Sequence, residues 1–147
     1  MTVCDSDKQR IAQLERELAE ALEAATTDPL TGLGNRAALD AAGECAAYVA
    51  IDANKFKQVN DTHGHAAGDV VLVEIADVLR TLTRPGDSLI RQGGDEFIVG
   101  LHRENQADSL VERLRSARFS YGVSLSVGAG ATIEIADKNA YAHKKGL

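Results

Sequence analysis

Apolar residues recur at helical spacing in the first part of the chain. Between residues 7 and 25 (DKQRIAQLERELAEALEAA), Ile11, Leu14, Leu18, Ala21 and Ala25 follow one another at alternating steps of three and four. That is the seam of a short coiled coil, with Glu, Gln, Lys and Arg at the other positions. Only about two to three heptads are present, so the segment predicts a helix that pairs with a second copy or an amphipathic helix lying on its own domain. The heptad spacing favours pairing, and residues 1–26 are read as a dimerisation helix preceding a domain at 27–147.

Pro29 ends the first helix, because the residue before proline avoids the helical region. Arg36 to Ala42 is a short helical stretch ended by Gly43, and Ala46 to Ile51 (AAYVAI) is a short apolar run typical of a buried strand. From Asp69 to Leu82, Val71, Ile75, Val78, Leu79 and Leu82 keep one helical face. Arg84-Pro85-Gly86-Asp87 has good turn chemistry at each position. Ser88 to Arg91 and Glu96 to Val99 flank Gly93-Gly94 and predict a β-hairpin. Asn105 to Ala117 reads as a helix, Tyr121 to Ala131 as a strand, and Ile133 to Lys145 as a closing helix. Strands that mostly alternate with helices predict an α/β (α+β) fold, a sheet covered by helices.

With 147 residues the chain suffices for one packed domain. No run of about eighteen apolar residues predicts a membrane span. The N-terminus lacks an apolar signal core, so a cytoplasmic location is expected. Cys4 and Cys45 have no metal-type spacing and are expected to be reduced, inert thiols. A net charge of -6 argues against a nucleic-acid-binding face. It leaves a nucleotide triphosphate open as a ligand, since such sites rely on a local cation, a metal and backbone N–H groups.

Two acidic positions could carry chemistry: Asp52 at the end of the first strand, and Asp95-Glu96 at the hairpin tip. Phosphoryl and nucleotidyl transfer needs neighbouring carboxylates to hold Mg²⁺, which offsets phosphate charge and eases ionisation of an attacking hydroxyl. Gly93 and Gly94 would let a polyphosphate approach the backbone. Spacing alone is a weak signal, since aspartate after a strand is common and Gly-Gly-Asp is also an ordinary hairpin turn.

Gly93-Gly94-Asp95-Glu96-Phe97 spells the motif of the GGDEF diguanylate cyclase family, which the chain resembles in two further blocks. Asp28 to Arg36 is similar to that family's D-x-L-T-G-L-x-N-R segment. Ile51 to Asp69 (IDANKFKQVNDTHGHAAGD) is similar to its D-x-x-x-F-K-x-x-N-D-x-x-G-H-x-x-G-D stretch. The resemblance implies a polymerase-palm-like mixed sheet flanked by helices, and condensation of two GTP into cyclic di-GMP by a homodimer. It implies Asp52, Asp95 and the carbonyl of Ala53 as ligands of Mg²⁺ (or Mn²⁺), with Glu96 acting on the 3′-hydroxyl or sharing a second metal. Lys57 and Lys144 would meet phosphate charge. Asn60 and Asp69 would read guanine, with Phe56, His65, Gly93 and Gly94 against the substrate. A carboxylate suits the two N–H donors of the guanine edge, although Asn60 could cap a turn, Asp69 could be a helix N-cap and His65 could simply pack.

Arg84 to Asp87 fits the family's R-x-x-D motif, where product binds and restrains the enzyme, with Arg113 as a possible second arginine. The same four residues also make a good turn without a ligand. Asn54 and Lys55 depart from the family's usual aspartate and hydrophobic residue, and altered local packing is expected there. Leu125 to Gly128 resembles the late strand, and Ala136 to Lys144 the A-D-x-A-L-Y-x-A-K helix, matching at Asp137, Tyr141 and Lys144. Connections at 40–46 and 130–136 are shorter than the family's norm. A domain that senses GTP or cyclic di-GMP without turnover is therefore the alternative reading.

Overall fold

The computed structural model describes residues 4–147. The expected seam lies in helix α1 (Asp5–Thr26), which buries none of its residues. Ile11, Leu14 and Leu18 are 50%, 47% and 61% exposed, and Leu22, outside the expected seam, is 56% exposed. The stripe is thus left uncovered by the other described residues. Asn35 ties off this helix: its Nδ2 donates to the carbonyl of Ala25 at 2.8 Å. The same side chain caps α2 (Arg36–Ala41) by accepting from the N–H of Ala38 at 3.1 Å.

Four strands follow, β1 (Ala47–Ala53), β2 (Ser88–Gly93), β3 (Glu96–Leu101) and β4 (Leu125–Gly130), ordered β2-β3-β1-β4 in one sheet. All three strand pairs are antiparallel. The parallel component expected of a mixed sheet is confined to an isolated bridge between Gly34 and Ile90. Side chains alternate across the sheet, so it has two cores. On one face Val49, Ile51, Phe97, Val99 and Val127 pack with Val71, Leu72, Ile75 and Leu79 of α4 (His65–Leu82) and Leu110 and Leu114 of α5 (Ala107–Ser116). Truncating a core residue such as Leu79 to Ala costs about 2–5 kcal/mol.

The other face is thinner: Tyr48, Ala50, Ile90 and Ile98 meet Leu39 of α2 and Ala136 and Ala140 of α6 (Ile133–Gly146). Helix α6 lies close on β4 because Gly128 has no side chain. A Cβ there would stand 2.1 Å from the backbone N of Ala140. That close approach brings the C-terminal half of α6 over the end of β1.

Several boundaries differ from expectation. An eight-residue helix, α3 (Phe56–His63), fills what the sequence left unassigned, and only Val59 in it is buried. Helix α4 begins at His65, not Asp69, with Gly64 as its N-cap. Asp69 is therefore inside the helix and caps nothing. Strand β4 starts at Leu125; Ser120–Gly122 form a turn of 3-10 helix in which Tyr121 takes φ +60°. Cys4 and Cys45 are free thiols, and no helix among the described residues is long and apolar enough to cross a membrane.

Candidate active site

Asp52 sits near the C-terminal end of β1, opposite Glu96 of β3 and Ser126 of β4. It is on the same face as Ala50, toward α6, and Lys144 Nζ reaches its Oδ2 at 3.1 Å. Asp52, Glu96 and Lys144 line a cavity of about 220 Å³ together with Gln92, Asp137 and Tyr141. The hairpin tip is fastened to β1, since the N–H of Ala53 donates to the carbonyl of Asp95 at 3.2 Å. Gly94 takes φ +50° there, a conformation that favours glycine.

The carboxyl of Asp95 is pushed up to about 6 by burial, then by a hydrogen bond with Asp52 and repulsion from Asp52 and Glu96. Lys144 is raised, chiefly by its hydrogen bond to Asp52 and the attraction of that charge, with burial opposing. Three carboxylates and one ammonium therefore share a small volume, the arrangement in which a bound cation relieves repulsion. Among the described residues no three His, Cys, Asp or Glu side chains are placed to hold a metal by themselves. Lys57 is exposed on the first turn of α3 and does not line this cavity.

Helices α3 and α4 bring a second group together directly after β1. Asn60 lies against Gly68, where a Cβ would fall 1.9 Å from Asn60 Oδ1 and 3.1 Å from Phe56 Cζ. Asn60 Oδ1 is buried without a hydrogen-bond partner. Such an orphaned acceptor typically costs about 1–3 kcal/mol until a donor reaches it. Asp69 follows Gly68 and is exposed, and His65 is exposed one turn earlier.

The R-P-G-D segment forms the expected turn. The carboxylate of Asp87 accepts from the N–H of Arg84 at 3.0 Å and of His102 at 3.2 Å. The side chains of Arg84 and Arg113 line one cavity of about 230 Å³ with Leu82, Leu101, Gln106 and Leu110. With its amide oxygen turned toward Arg84, Gln106 accepts from both terminal guanidinium nitrogens at 3.0 and 3.3 Å.

A family model described as "Diguanylate cyclase, GGDEF domain" matches residues 25–146. The chain belongs to the GGDEF domain family. It is 34% identical over 164 residues to the diguanylate cyclase DgcN of Escherichia coli, a match covering 90% of this chain and 40% of that protein. It is 35% identical over 125 residues to the diguanylate cyclase DgcS of Shewanella oneidensis, covering 73% of this chain and 42% of that protein. The chain thus spans less than half the length of these curated relatives. Its fold is similar to the crystal structure of the coiled coil and GGDEF domain of DgcB from Caulobacter crescentus in complex with c-di-GMP. There the TM-score is 0.81 at 28% identity, over 96% of this chain and 92% of that one.

Within this GGDEF domain, four placements escaped the sequence. Arg91 donates to Asp28 Oδ1 and to the carbonyl of Gly94, both at 2.9 Å, joining the D-P-L-T entry segment to the hairpin tip. Asp28 also accepts from the N–H and hydroxyl of Thr31. Burial would raise its pKa, but the Thr31 and Arg91 interactions outweigh it and hold it below the ordinary value. Asn54 bridges to Ser124 Oγ at 3.1 Å and Ser126 Oγ at 2.5 Å. Gly68 opens the space beside Asn60, and Gln92 brings a buried, unpaired Oε1 to the Asp52 cavity. Isolated glycines, arginines and glutamines carry no local signal of such partners.

Proposed function

We propose that this GGDEF domain condenses two GTP into cyclic di-GMP, releasing two pyrophosphates. Each 3′-hydroxyl attacks the α-phosphorus of the other nucleotide and displaces its pyrophosphate. The observation that carries the reading is the convergence of Asp52, Asp95 and Glu96 with Lys144 at the G-G-D-E-F hairpin. Asp52 and Asp95, with the carbonyl of Ala53, would hold Mg²⁺ or Mn²⁺. Two carboxylates completed by substrate phosphates suit that ion. When bound, the metal neutralises phosphate charge and lowers the cost of ionising the hydroxyl. Glu96 takes the 3′-hydroxyl proton, and Lys144 moves from Asp52 onto the phosphates.

Guanine enters beside Gly68, where Asn60 Oδ1 gains a donor and Asp69 accepts from the base edge, with Phe56 packing beneath and His65 at the rim. Lys57, outside the Asp52 cavity at the start of α3, would meet phosphate charge of bound GTP, and Gly93 and Gly94 let the phosphates approach. One domain holds one GTP, so two must face each other, brought together through α1. Residues 1–26 are accordingly a dimerisation unit and 27–147 the catalytic one. Product binding at Arg84, Arg113 and the Asp87 turn restrains the dimer. GTP as substrate accords with a cytoplasmic location.

A second reading, nucleotide binding without turnover, is favoured by one observation: Asp52 is already paired with Lys144. Incubating the purified chain with GTP and Mg²⁺ distinguishes the two. Cyclic di-GMP and pyrophosphate are expected; GTP recovered unchanged but bound establishes the second.

A further inference from the structure

Strand β4 is an edge of the sheet, and edges expose unpaired backbone groups. Val127 stands opposite Ile51 of β1, yet its backbone groups are taken by side chains of two helices on opposite faces. His143 Nδ1 of α6 accepts from its N–H at 3.1 Å. Arg115 of α5 donates to its carbonyl from Nε at 3.1 Å and from Nη2 at 2.7 Å. Two residues further along the strand, Asn139 Nδ2 donates to the carbonyl of Ala129 at 2.7 Å. Asn139 and His143 are one turn apart on α6 and share a helix face. The A-D-x-A-L-Y-x-A-K pattern has alanine at both positions.

The next residue, Lys144, carries the ammonium that reaches Asp52. A lysine head on a flexible four-carbon stem does not fix its own place, and the last turn of a helix frays readily. Both are countered by the bond at His143. We propose that His143 is a positioning residue: by accepting the N–H of Val127 it pins the last turns of α6 to the edge of β4 and sets Lys144 over Asp52. The consequence for catalysis rests on the reading of Lys144 as a phosphate-binding group.

Only an unprotonated Nδ1 can accept; in the imidazolium both nitrogens are donors. Burial, and then the Arg115 guanidinium, hold the His143 pKa below its ordinary value. The charged group that acts on it is Arg115 from α5, and Lys144 and Lys145 follow it on its own helix. Strand β4 contributes no titratable side chain. The anchor is intact at neutral pH and is lost as pH falls from the ordinary histidine range through the lower value in the folded chain.

The test uses the full chain with His143→Leu, which keeps bulk without an acceptor, and His143→Asn, which keeps an acceptor that does not titrate. At fixed pH, exchange of the Val127 amide should speed up in the Leu variant only, and its protection relative to the intrinsic rate of an unprotected amide should fall toward acid pH in wild type but not in the Asn variant. Binding of the α,β-methylene analogue of GTP with Mg²⁺ should weaken about tenfold in the Leu variant, the size of one lost polar interaction. Combined with Lys144→Ala, it should weaken binding no further than Lys144→Ala alone, as residues acting through one group do. Unchanged Val127 exchange in the Leu variant, or fully multiplicative effects with Lys144→Ala, overturns the proposal. Failure of the phosphate reading looks different: Lys144→Ala then binds the analogue as wild type does, while Val127 exchange still answers to His143.

Discussion

The guanidinium of Arg91 reaches Asp28 at 2.9 Å, and the two side chains are only 17% and 13% exposed. Removing one partner of a buried pair leaves the other charge without compensation, at a cost of about 3 kcal/mol or more. Arg91→Ala should therefore lower stability by about that much in urea titrations, and Arg91→Lys by less. The Asp28 pKa is depressed, so its contribution is present above the ordinary carboxylate value and lost as pH falls through the lower folded value. Acid unfolding of Asp28→Asn should be flatter than that of wild type in that range.

Asp95 has the opposite sign. Its pKa of about 6 means the folded chain holds a proton that the unfolded chain releases nearer 3.8. The site is more stable below about 3.8 and progressively less so up to about 6. At pH 7 Asp95→Asn should raise stability by about 1 kcal/mol, after allowance for solvent screening, while abolishing turnover. Mg²⁺ should stabilise the wild type and not the variant, and melting curves with and without the ion check both statements.

Gly68 offers a test of the proposed guanine site. Gly68→Ala places a Cβ on Asn60 Oδ1, forcing that side chain to swing away at small cost in stability, because its far end is flexible. GTP affinity should fall by about tenfold or more while the melting temperature changes little. Asp69→Ser should narrow the gap between GTP and ATP binding, since a site built for one edge rejects bases that leave its polar groups unpaired. No loss of a helix cap should accompany it, because Asp69 lies inside α4. Calorimetric titration of both nucleotides reads each effect.

Product inhibition should depend on Arg84 and Arg113 together, because both line one cavity and fork-shaped guanidinium groups recognise phosphate. Cyclic di-GMP titrated into Arg84→Ala or Arg113→Ala should inhibit markedly less than in wild type at equal GTP. Asp87→Ala should instead loosen the turn, since its carboxylate is spent on the backbone of Arg84 and His102.

The apolar stripe of α1 should hold the dimer. Leu14→Glu with Leu18→Glu places like charges in the seam, which cannot be desolvated cheaply. The variant should sediment as a monomer, and its turnover should depend far more steeply on protein concentration, because the effective concentration given by the helix pair is lost. A dimer that persists in this variant assigns the helix another task.

The chain alone determined whatever rests on neighbours in sequence. The seam of α1, the apolar face of α4 and the turn chemistry of Arg84 to Asp87 and Gly93 to Glu96 are local patterns, so the helices, the hairpin and the acidic tip were legible. Helix α3 was not, because Val59 is its one buried residue and a single apolar position has no period. Nor was the true start of α4, which Gly64 sets by its backbone conformation, φ +89°, rather than by a capping side chain. Tertiary structure decided the partnerships. Lys144 meets Asp52 across 92 residues, Arg91 meets Asp28 across 63, and His143 meets Val127 across 16. Each depends on how closely helices and loops settle on the sheet, as α6 does over Gly128. A charge or a glycine in the sequence carries no record of which distant group will stand beside it.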